Sequence, residues 1–183
     1  PDREAVIEAI IVADYDKGLQ VIDISNPSEP QIIGSVDTPG SALDVSISGN
    51  IAFVADHTAG LQVIDVSTPT NPKIIGFANT PDSALSVFVY GNIVYVADGW
   101  GGLQVIDVSI PTSPMIIGDA YAYDYSSDVV VVDDIAYVAD GYRSFLVIDV
   151  SVPTNPQIIG MLATPGIAFS VTIVGNTAYV ADY

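Results

Sequence analysis

Seven side chains in predicted loops could contact a ligand through an aromatic ring, a hydroxyl or an imidazole: Tyr15, His57, Trp100, Tyr121, Tyr123, Tyr125 and Tyr142. Three of these tyrosines belong to one acidic segment, residues 119–128, which also contains three aspartates. Tyrosine combines a flat apolar face with a hydroxyl, and carboxylates accept hydrogen bonds from sugar hydroxyls. This composition suits the binding of a glycan or of a protein loop. Alternatively, the three tyrosines pack over the rim of their own sheet, and Trp100, the only tryptophan, contacts another subunit.

A second group consists of two aspartates and two serines at intervals of 42 residues: Asp44, Ser86, Asp128 and Ser170. Each lies near the beginning of a strand that is expected to be innermost, where side chains can project toward a central channel. Two carboxylates across a narrow channel could hold a cation through hard oxygen ligands, whereas the alternative is that both are solvated. No calcium loop, phosphate loop or metal-binding histidine motif occurs in the sequence, so no metal ligand is assigned.

Catalysis is not expected from this composition. The chain has one histidine, His57, no cysteine, and no serine in a recognisable nucleophile turn. General acid–base and nucleophilic mechanisms need a positioned acid and base or an activated nucleophile. We therefore predict a protein that is not an enzyme and that uses no cofactor.

Recurring aspartates indicate how these side chains are positioned. One column, each member closing a Val-Ala-Asp triplet, consists of Asp14, Asp56, Asp98, Asp140 and Asp182. Asp65 and its equivalents recur at the same 42-residue interval, so we interpret both columns as hydrogen-bonding scaffold. The interval predicts one repeat domain over residues 1–183. Its parts are a partial unit 1–40, full units 41–82, 83–124 and 125–166, and a partial unit 167–183.

Each full unit is predicted to form four antiparallel strands. In the unit 41–82 these are residues 43–48, 51–56, 61–67 and 73–79, which are rich in Val, Ile, Phe and Tyr. Gly49-Asn50 suits a tight hairpin, and Pro69 and Pro72 break the sheet between the third and fourth strands. Apolar residues on both faces of the third strand require cover on both sides. An all-β, β-propeller-like array of about four four-stranded blades meets this requirement; a parallel β-helix, whose rungs are usually much shorter, is the alternative.

The alternation of strand directions predicts two different faces for the loops. The Gly-Asn turns and the Ser-Xaa-Pro loops hardly vary between units, and they share one face. The loops between second and third strands vary, as do the linkers between units, and both sets lie on the opposite face. Binding residues tend to lie on loops that a rigid scaffold holds, so the variable face is the predicted binding face.

Composition limits the classes of partner. Four basic residues oppose 22 acidic ones, and the formal charge of -18 would repel phosphate backbones and anionic headgroups. We therefore expect no nucleic acid partner and no membrane insertion, since no apolar stretch is long enough to span a bilayer. Only 14% of the residues are charged, against roughly 25% in an average globular protein. A surface built largely from uncharged polar residues is comparatively free to associate.

The repeat also resembles a known family. Residues 61–67, Leu-Gln-Val-Ile-Asp-Val-Ser, with Pro69 and Pro72 after them and Val-Ala-Asp before them, resemble the LVIVD repeat, and the match recurs in all four copies. The resemblance implies a β-propeller-type domain in bacterial or archaeal surface and exported proteins. Two units depart from the pattern, one at the tyrosine-rich segment and one where residues 144–146, Ser-Phe-Leu, replace Gly-Leu-Gln.

The two ends of the chain are out of phase. Residues 9–14 and residues 177–182 both have the sequence of a second strand. If residues 169–174 supplied the first strand of the N-terminal sheet, four blades would close, but the two second strands would compete for one place. Three outcomes stay open: a closed four-bladed monomer, a piece of a longer array or ring, or a subunit whose spare strand adds to a neighbour.

These observations favour a non-enzymatic structural or adhesive module that is extracellular or attached to the cell surface. Self-assembly through terminal strand addition is expected, so the predicted partner is a second copy, in a homo-oligomer or a fibre, or else a surface glycan or protein. The alternative function is a propeller that binds a glycan or a protein through its aromatic loop face.

Overall fold

The computed structural model describes residues 9–121, 124–141 and 144–183, and every regular element in these residues is a β-strand. The strands are β1 (Ala9–Ala13), β2 (Leu19–Asp23), β3 (Gln31–Val36), β4 (Asp44–Ser48), β5 (Ile51–Ala55), β6 (Leu61–Asp65), β7 (Lys73–Ala78), β8 (Ser86–Tyr90), β9 (Ile93–Ala97), β10 (Leu103–Asp107), β11 (Met115–Ala120), β12 (Ser126–Val132), β13 (Ile135–Asp140), β14 (Ser144–Asp149), β15 (Gln157–Ala163), β16 (Ala168–Val174) and β17 (Thr177–Asp182). Across the same residues there is no helix that could cross a membrane.

The strands form five sheets that follow one another along the chain. Sheet 1 contains β1 to β3, sheet 2 contains β4 to β7, sheet 3 contains β8 to β11, sheet 4 contains β12 to β15, and sheet 5 contains β16 and β17. All paired neighbours are antiparallel, so the prediction of an all-β repeat of antiparallel four-stranded sheets is confirmed for sheets 2, 3 and 4. The prediction of about four blades is confirmed only in part, because the described residues form five sheets, with three, four, four, four and two strands, of which three are complete four-stranded sheets.

The turns between first and second strands follow from the residues that occupy them. Gly49 connects β4 to β5 with a φ of +58°, a conformation that costs glycine little because it has no Cβ. Its equivalent in sheet 4 is Asp133, whose φ is +54°. Aspartate tolerates this left-handed region better than most residues do. Both residue types therefore allow the short turn that holds the two strands in register.

The core lies between successive sheets. Leu61 and Val63 of sheet 2 belong to one buried cluster with Val94 and Val96 of sheet 3. Sheets 3 and 4 share a second cluster, which includes Leu103 and Leu146 in adjacent sheets. Each of the middle sheets is thus covered on both faces by its neighbours, which explains why the third strands are apolar on both sides.

A glycine in each fourth strand allows the next unit to approach closely. Gly76 lies in β7 next to a β-bulge at Ile75, and a Cβ on Gly76 would overlap the Pro111 carbonyl oxygen of the following unit. Gly34 and Gly118 have the same relation to Pro69 and Pro153. The Ser-Xaa-Pro loop of one unit therefore packs directly on the backbone of the preceding fourth strand, and we call this contact the junction.

The terminal strands stay in separate sheets, which decides between outcomes that the sequence left open. The first-strand sequence near residues 169–174 forms β16, which pairs with β17 and not with β1, so it does not supply a strand to the N-terminal sheet. Packing runs from β4 to β8, from β8 to β12 and from β12 to β16. Within the described residues no strand pairing closes sheet 5 onto sheet 1, so the closed four-bladed arrangement is absent there. A local hairpin explains the outcome, because joining β16 to β17 closes a very short loop, whereas joining it to β1 closes a loop of most of the chain.

Candidate functional site

The variable loops and the linkers between units lie side by side. In sheets 1 to 4, a residue just after the second strand makes an isolated antiparallel bridge with the start of the next unit, in the pairs Tyr15 with Ala42, His57 with Ala84, Gly99 with Ser126, and Gly141 with Ala168. The backbone N–H of His57 donates to the Ala84 carbonyl oxygen over 3.0 Å, and the reverse bond has the same length. The scaffold therefore positions the loop face through backbone bonds that do not depend on the side chains.

Tyr15 and His57 occupy equivalent positions in sheets 1 and 2, so the structure does not bring them into one site. Both have positive φ angles, of 47° and 49°. The Tyr15 side chain is exposed, and the His57 side chain is half-buried. Two further predicted site residues, Tyr123 and Tyr142, lie outside the described residues.

Trp100 and Tyr121 come together on sheet 3. They border an open cavity of about 540 Å³, which we call the sheet 3 groove and whose lining includes Asp82, Trp100, Gln104, Ile116, Asp119 and Tyr121. Trp100 is 57% exposed and Tyr121 is 74% exposed, so both rings present most of their surface to solvent. The groove is bounded by the linker before β8, the loop before β10 and the end of β11.

Asp82 is the polar side chain that organises this groove. Its Oδ2 atom accepts a hydrogen bond of 2.8 Å from the Trp100 backbone N–H, and its own N–H donates to Asp98 Oδ2 over 2.9 Å. The carboxylate lies against Gly99, where a Cβ would overlap it. Gln104 is buried and donates through Nε2 to the Gly101 carbonyl oxygen over 2.7 Å. Backbone groups thus hold both polar side chains in place.

Tyr125 supports Trp100 from below. The two rings meet at an angle of 73° with their centroids 5.6 Å apart, in an edge-to-face arrangement. Burial, followed by the charges of Asp82 and Asp98, raises the pKa of Tyr125 above its ordinary value. Tyr125 also lines a separate cavity of about 510 Å³ together with Leu43 and Leu85. It therefore belongs to the packing beneath the groove.

Sequence reasoning placed Asp119 in the acidic tyrosine-rich segment but did not single out Asp82 or Gln104. A signal for Asp82 exists in the repeat, because it stands where the preceding unit has Gly40. Gln104 gives no such signal, since the preceding unit has the same residue type at this position. Positions that vary on the fourth strand, as well as in the loops, would have pointed to the groove.

The residues predicted to line a channel form a row of hydrogen bonds across adjacent first strands. Ser86 Oγ lies 2.9 Å from Asp44 Oδ2 and 2.7 Å from Asp128 Oδ1, and Ser170 Oγ donates to Asp128 Oδ2 over 2.7 Å. Two backbone N–H groups, of Val129 and Val171, also donate to Asp128. Donors from neighbouring first strands already surround the Asp128 carboxylate. The row therefore joins adjacent sheets to one another.

The two recurring aspartate columns differ in burial. Asp56 is fully buried, and it accepts hydrogen bonds from the Thr38 hydroxyl over 2.6 Å and from the Gly40 N–H over 2.8 Å. It therefore anchors the linker between two units. Asp65 accepts the Ser67 N–H over 2.8 Å, in a turn at the surface. Both columns serve the scaffold, but only the first one has buried members, namely Asp56, Asp98 and Asp140, while its terminal members Asp14 and Asp182 are exposed.

The family follows from the way this scaffold repeats along the chain. Sequence comparison matches the LVIVD repeat to residues 10–38, 39–80, 81–121, 124–164 and 165–183. The chain belongs to the LVIVD repeat family. Each matched LVIVD repeat after the first begins in the linker between two sheets, so each junction is a contact between two successive repeats. Among curated proteins, none matches the sequence.

Solved structures share the fold of these LVIVD units at low sequence identity. The computationally designed Ika8 protein superimposes with a TM-score of 0.77 at 11% identity, over 95% of this chain and 52% of that one. A functionally unknown protein from Desulfotomaculum acetoxidans DSM 771 gives 0.77 at 14% identity, over 96% and 62%. The chain therefore spans between half and two thirds of the length of these two. The designed Ika4 protein gives 0.69 at 11% identity, over 83% of this chain and 92% of that one.

Burial of the first aspartate column predicts a pH dependence of stability. Burial raises the pKa of Asp98 above its ordinary value, and the hydrogen bond from the Asp82 N–H opposes this only in part. The folded state thus holds this proton more tightly than the unfolded state does. The stabilisation from Asp98 is complete below the unfolded pKa and is lost as the pH rises through the folded one.

We expect the stability advantage of the native chain over Asp98→Asn to be largest near pH 4 and to shrink as the pH rises, because asparagine stays neutral. Urea unfolding of both chains between pH 4 and pH 8 measures it. Asp107→Asn is a control of opposite sign, because hydrogen bonds from Ser109 lower the pKa of Asp107, and its contribution is lost as the pH falls. An advantage over Asp98→Asn that did not change with pH would contradict the prediction.

Proposed function

We propose that this chain is a non-enzymatic structural or adhesive module that works outside the cell or at its surface and that associates with a second copy. In this proposal the five sheets are an open segment of a β-propeller, and the second copy extends it. The observation that carries the proposal is a junction that is formed three times within the chain and is open at the fourth position.

Gly160 in β15 is the open junction. Its equivalents Gly34, Gly76 and Gly118 lie against a proline carbonyl of the following unit, whereas a Cβ at Gly160 would meet only the Val147 side chain, at 3.4 Å. The apolar neighbours of Gly160 are exposed accordingly. Ile159 is 60% exposed and Leu162 is 64% exposed, while residues at the equivalent positions of sheets 2 and 3 are half-buried or buried.

Sheet 5 has the complementary gap. It contains a first and a second strand, and the edge of β17 that would pair with a third strand is unpaired in the described residues. An exposed edge of this kind favours strand addition, in which backbone hydrogen bonds supply much of the affinity. Sheet 1 contains elements that would fit this edge, namely the third strand β2, the fourth strand β3 and a Ser-Xaa-Pro-type loop that contains Pro27.

The internal sheets specify how these parts would fit. In sheet 2 the second strand pairs with the third so that Phe53 faces Val63. The same register places Tyr179 of one copy opposite Val21 of the other, with β17 in the position that β1 holds within one chain. Pro27 of the second copy then reaches Gly160. Exchange of β1 for β17 conserves the number of backbone hydrogen bonds, so the gain comes from burying the open junction.

A disulfide tests this register directly, because the chain has no cysteine of its own. We expect the double variant Val21→Cys, Tyr179→Cys to form covalent dimers and longer species on oxidation. Facing residues of antiparallel strands lie within the Cα separation that a disulfide requires. Non-reducing electrophoresis and mass spectrometry distinguish the outcomes. A disulfide within a single chain would show closure of the chain on itself, and no disulfide would contradict the register; either result overturns association with a second copy.

The matched variant Gly160→Ala tests the junction. A Cβ there has space in the single chain but would overlap the incoming Pro27 carbonyl, so we expect a folded protein whose assembly is weakened about tenfold or more, since 1.4 kcal/mol of overlap suffices. Light scattering after size-exclusion chromatography at several concentrations measures the assembly. Native chain that stays monomeric at every concentration, or Gly160→Ala that assembles as well as the native chain, would contradict the proposal.

A further inference from the structure

We propose that the sheet 3 groove is a binding site for a neutral carbohydrate. This inference goes beyond the proposed assembly and does not depend on it, because none of the groove residues belongs to β1, β17 or the open junction. Three properties of the groove carry the inference: its two exposed rings, its fixed hydrogen-bonding groups and its charge.

The rings provide the apolar part of the site. One face of a pyranose ring carries several C–H groups, and such a face stacks on aromatic rings. Trp100 is fixed through its backbone N–H by Asp82 and through its ring by Tyr125, yet it remains 57% exposed. Tyr121, at the other border of the groove, is 74% exposed. Two large rings held at the border of one cavity leave an apolar surface that the fold itself does not use.

The polar groups provide the directional part of the site. Sugar hydroxyls need acceptors and donors at fixed positions, and Asp82 and Asp119 supply carboxylate acceptors at the groove. Asp82 keeps its position because its Oδ2 accepts the Trp100 N–H and Gly99 leaves room for the carboxylate. Its other carboxylate oxygen remains able to accept a hydrogen bond from a sugar hydroxyl. Tyr121 adds a hydroxyl that both donates and accepts. Ligand sites of this size, about 540 Å³, commonly combine an apolar surface with a few fixed polar groups.

Charge narrows the class of ligand. No lysine or arginine lies among the described residues that line the groove, and two carboxylates do. The whole chain carries a formal charge of -18. Phosphorylated, sulfated and carboxylated ligands are therefore repelled. A neutral sugar has no charge to desolvate and can use both carboxylates as acceptors.

The neighbouring repeat shows that the scaffold does not need these side chains. Sheet 2 has the same groove framework, with Gln62 and Ile74 in place of Gln104 and Ile116. The four side chains that suit a sugar are absent there, since the positions of Asp82, Trp100, Asp119 and Tyr121 are taken by Gly40, Thr58, Phe77 and Asn79. Gly40 still donates its N–H to Asp56, as Asp82 does to Asp98. The backbone is thus held in both sheets, and the binding groups occur in one.

The test uses the full chain and an array of neutral oligosaccharides built from glucose, galactose, mannose and N-acetylglucosamine. Because Trp100 is the only tryptophan, its fluorescence reports on this groove alone in chains that keep it, and isothermal titration calorimetry with a sugar identified on the array measures the affinity of every variant, including Trp100→Ala. We expect Trp100→Ala and Tyr121→Ala each to weaken binding by about tenfold or more. Asp119→Asn, which keeps an acceptor oxygen, is expected to have a smaller effect.

Two controls keep this test specific. Phe77→Ala changes the equivalent of Asp119 in sheet 2, and it is expected to leave the affinity unchanged. Gly160→Ala separates this inference from the proposed assembly, since the variant should bind the sugar as the native chain does even if it stays monomeric. Absence of binding to every neutral sugar at millimolar concentration, binding that survives Trp100→Ala, or capture of cationic peptides in place of sugars would overturn the inference.

Discussion

Replacing Gly76 by alanine is expected to lower the free energy of unfolding by about 2–3 kcal/mol. The added methyl group would overlap the Pro111 carbonyl oxygen, which is backbone and cannot rotate away as a side chain would. The strand β7 and the following loop would have to separate, and this exposes the buried cluster between sheets 2 and 3. Gly118→Ala should give a similar loss, because the same contact occurs with Pro153. Urea unfolding followed by circular dichroism measures both values.

Gly160→Ala is the matched control for this prediction. It changes the same position of the repeat, in a strand with the same sequence Ile-Ile-Gly, but the nearest atom to the new methyl group is 3.4 Å away on Val147. We expect the free energy of unfolding of the single chain to change by less than about 0.5 kcal/mol. The measurement belongs at concentrations where the chain is monomeric, because association adds to apparent stability. Equal losses at Gly76 and Gly160 would show that the junction is not the cause.

The repeated architecture was predictable because its determinants are local. Alternating apolar residues specify strands, and Gly49-Asn50 specifies a hairpin whatever happens elsewhere in the chain. The four strands of the unit 41–82 were predicted within two residues of their observed ends. Cover on both faces of the third strand followed from the apolar residues on both sides of Leu61 and its neighbours, and the shared clusters confirm it.

The arrangement of the ends was not predictable in the same way. Residues 9–14 and 177–182 share the closing Val-Ala-Asp triplet, and both suit the second position of a sheet. Which of them pairs with β2 depends on the length of the loop between the strands and on contacts between distant units. The short connection favours β1, so sheet 5 keeps two strands. A local sequence pattern does not show which of the two strands pairs with β2.

The sequence predicted the face on which the candidate site lies, but it did not predict which residues line the site. Strand directions place the variable loops on one face, and the backbone bridges from Tyr15 and His57 lie there. Whether two loop residues contact the same site depends on how the loops pack. The sequence therefore could not show that Trp100 and Tyr121 share a groove while Tyr15 lies apart from them, in the loop of sheet 1. The position of Asp82 depends on Gly99. This contact joins a linker residue to a loop residue, and no repeating pattern in the sequence indicates that the two meet.

Burial also separates the middle members of the first aspartate column from the second column, although both columns recur equally well in the sequence. Asp56→Ala is expected to lower the free energy of unfolding by about 3 kcal/mol, because it leaves the Thr38 hydroxyl and the Gly40 N–H without their acceptor at a site closed to water. Both donors belong to the linker between sheets 1 and 2, so the loss should also loosen the contact between these sheets. Chemical unfolding at pH 7 measures the loss.

Asp65→Ala removes an equally regular aspartate and is expected to cost much less, since the Ser67 N–H that it releases lies in a surface turn where water can take the place of the carboxylate. Asp56→Asn separates the role of charge from the role of the acceptors, because asparagine keeps the shape but offers one acceptor oxygen to two donors. We expect its stability to lie between those of the native chain and Asp56→Ala. If Asp56→Ala and Asp65→Ala lost equal stability, water would be reaching the linker, and Asp56 would not be the buried anchor that joins one unit to the next.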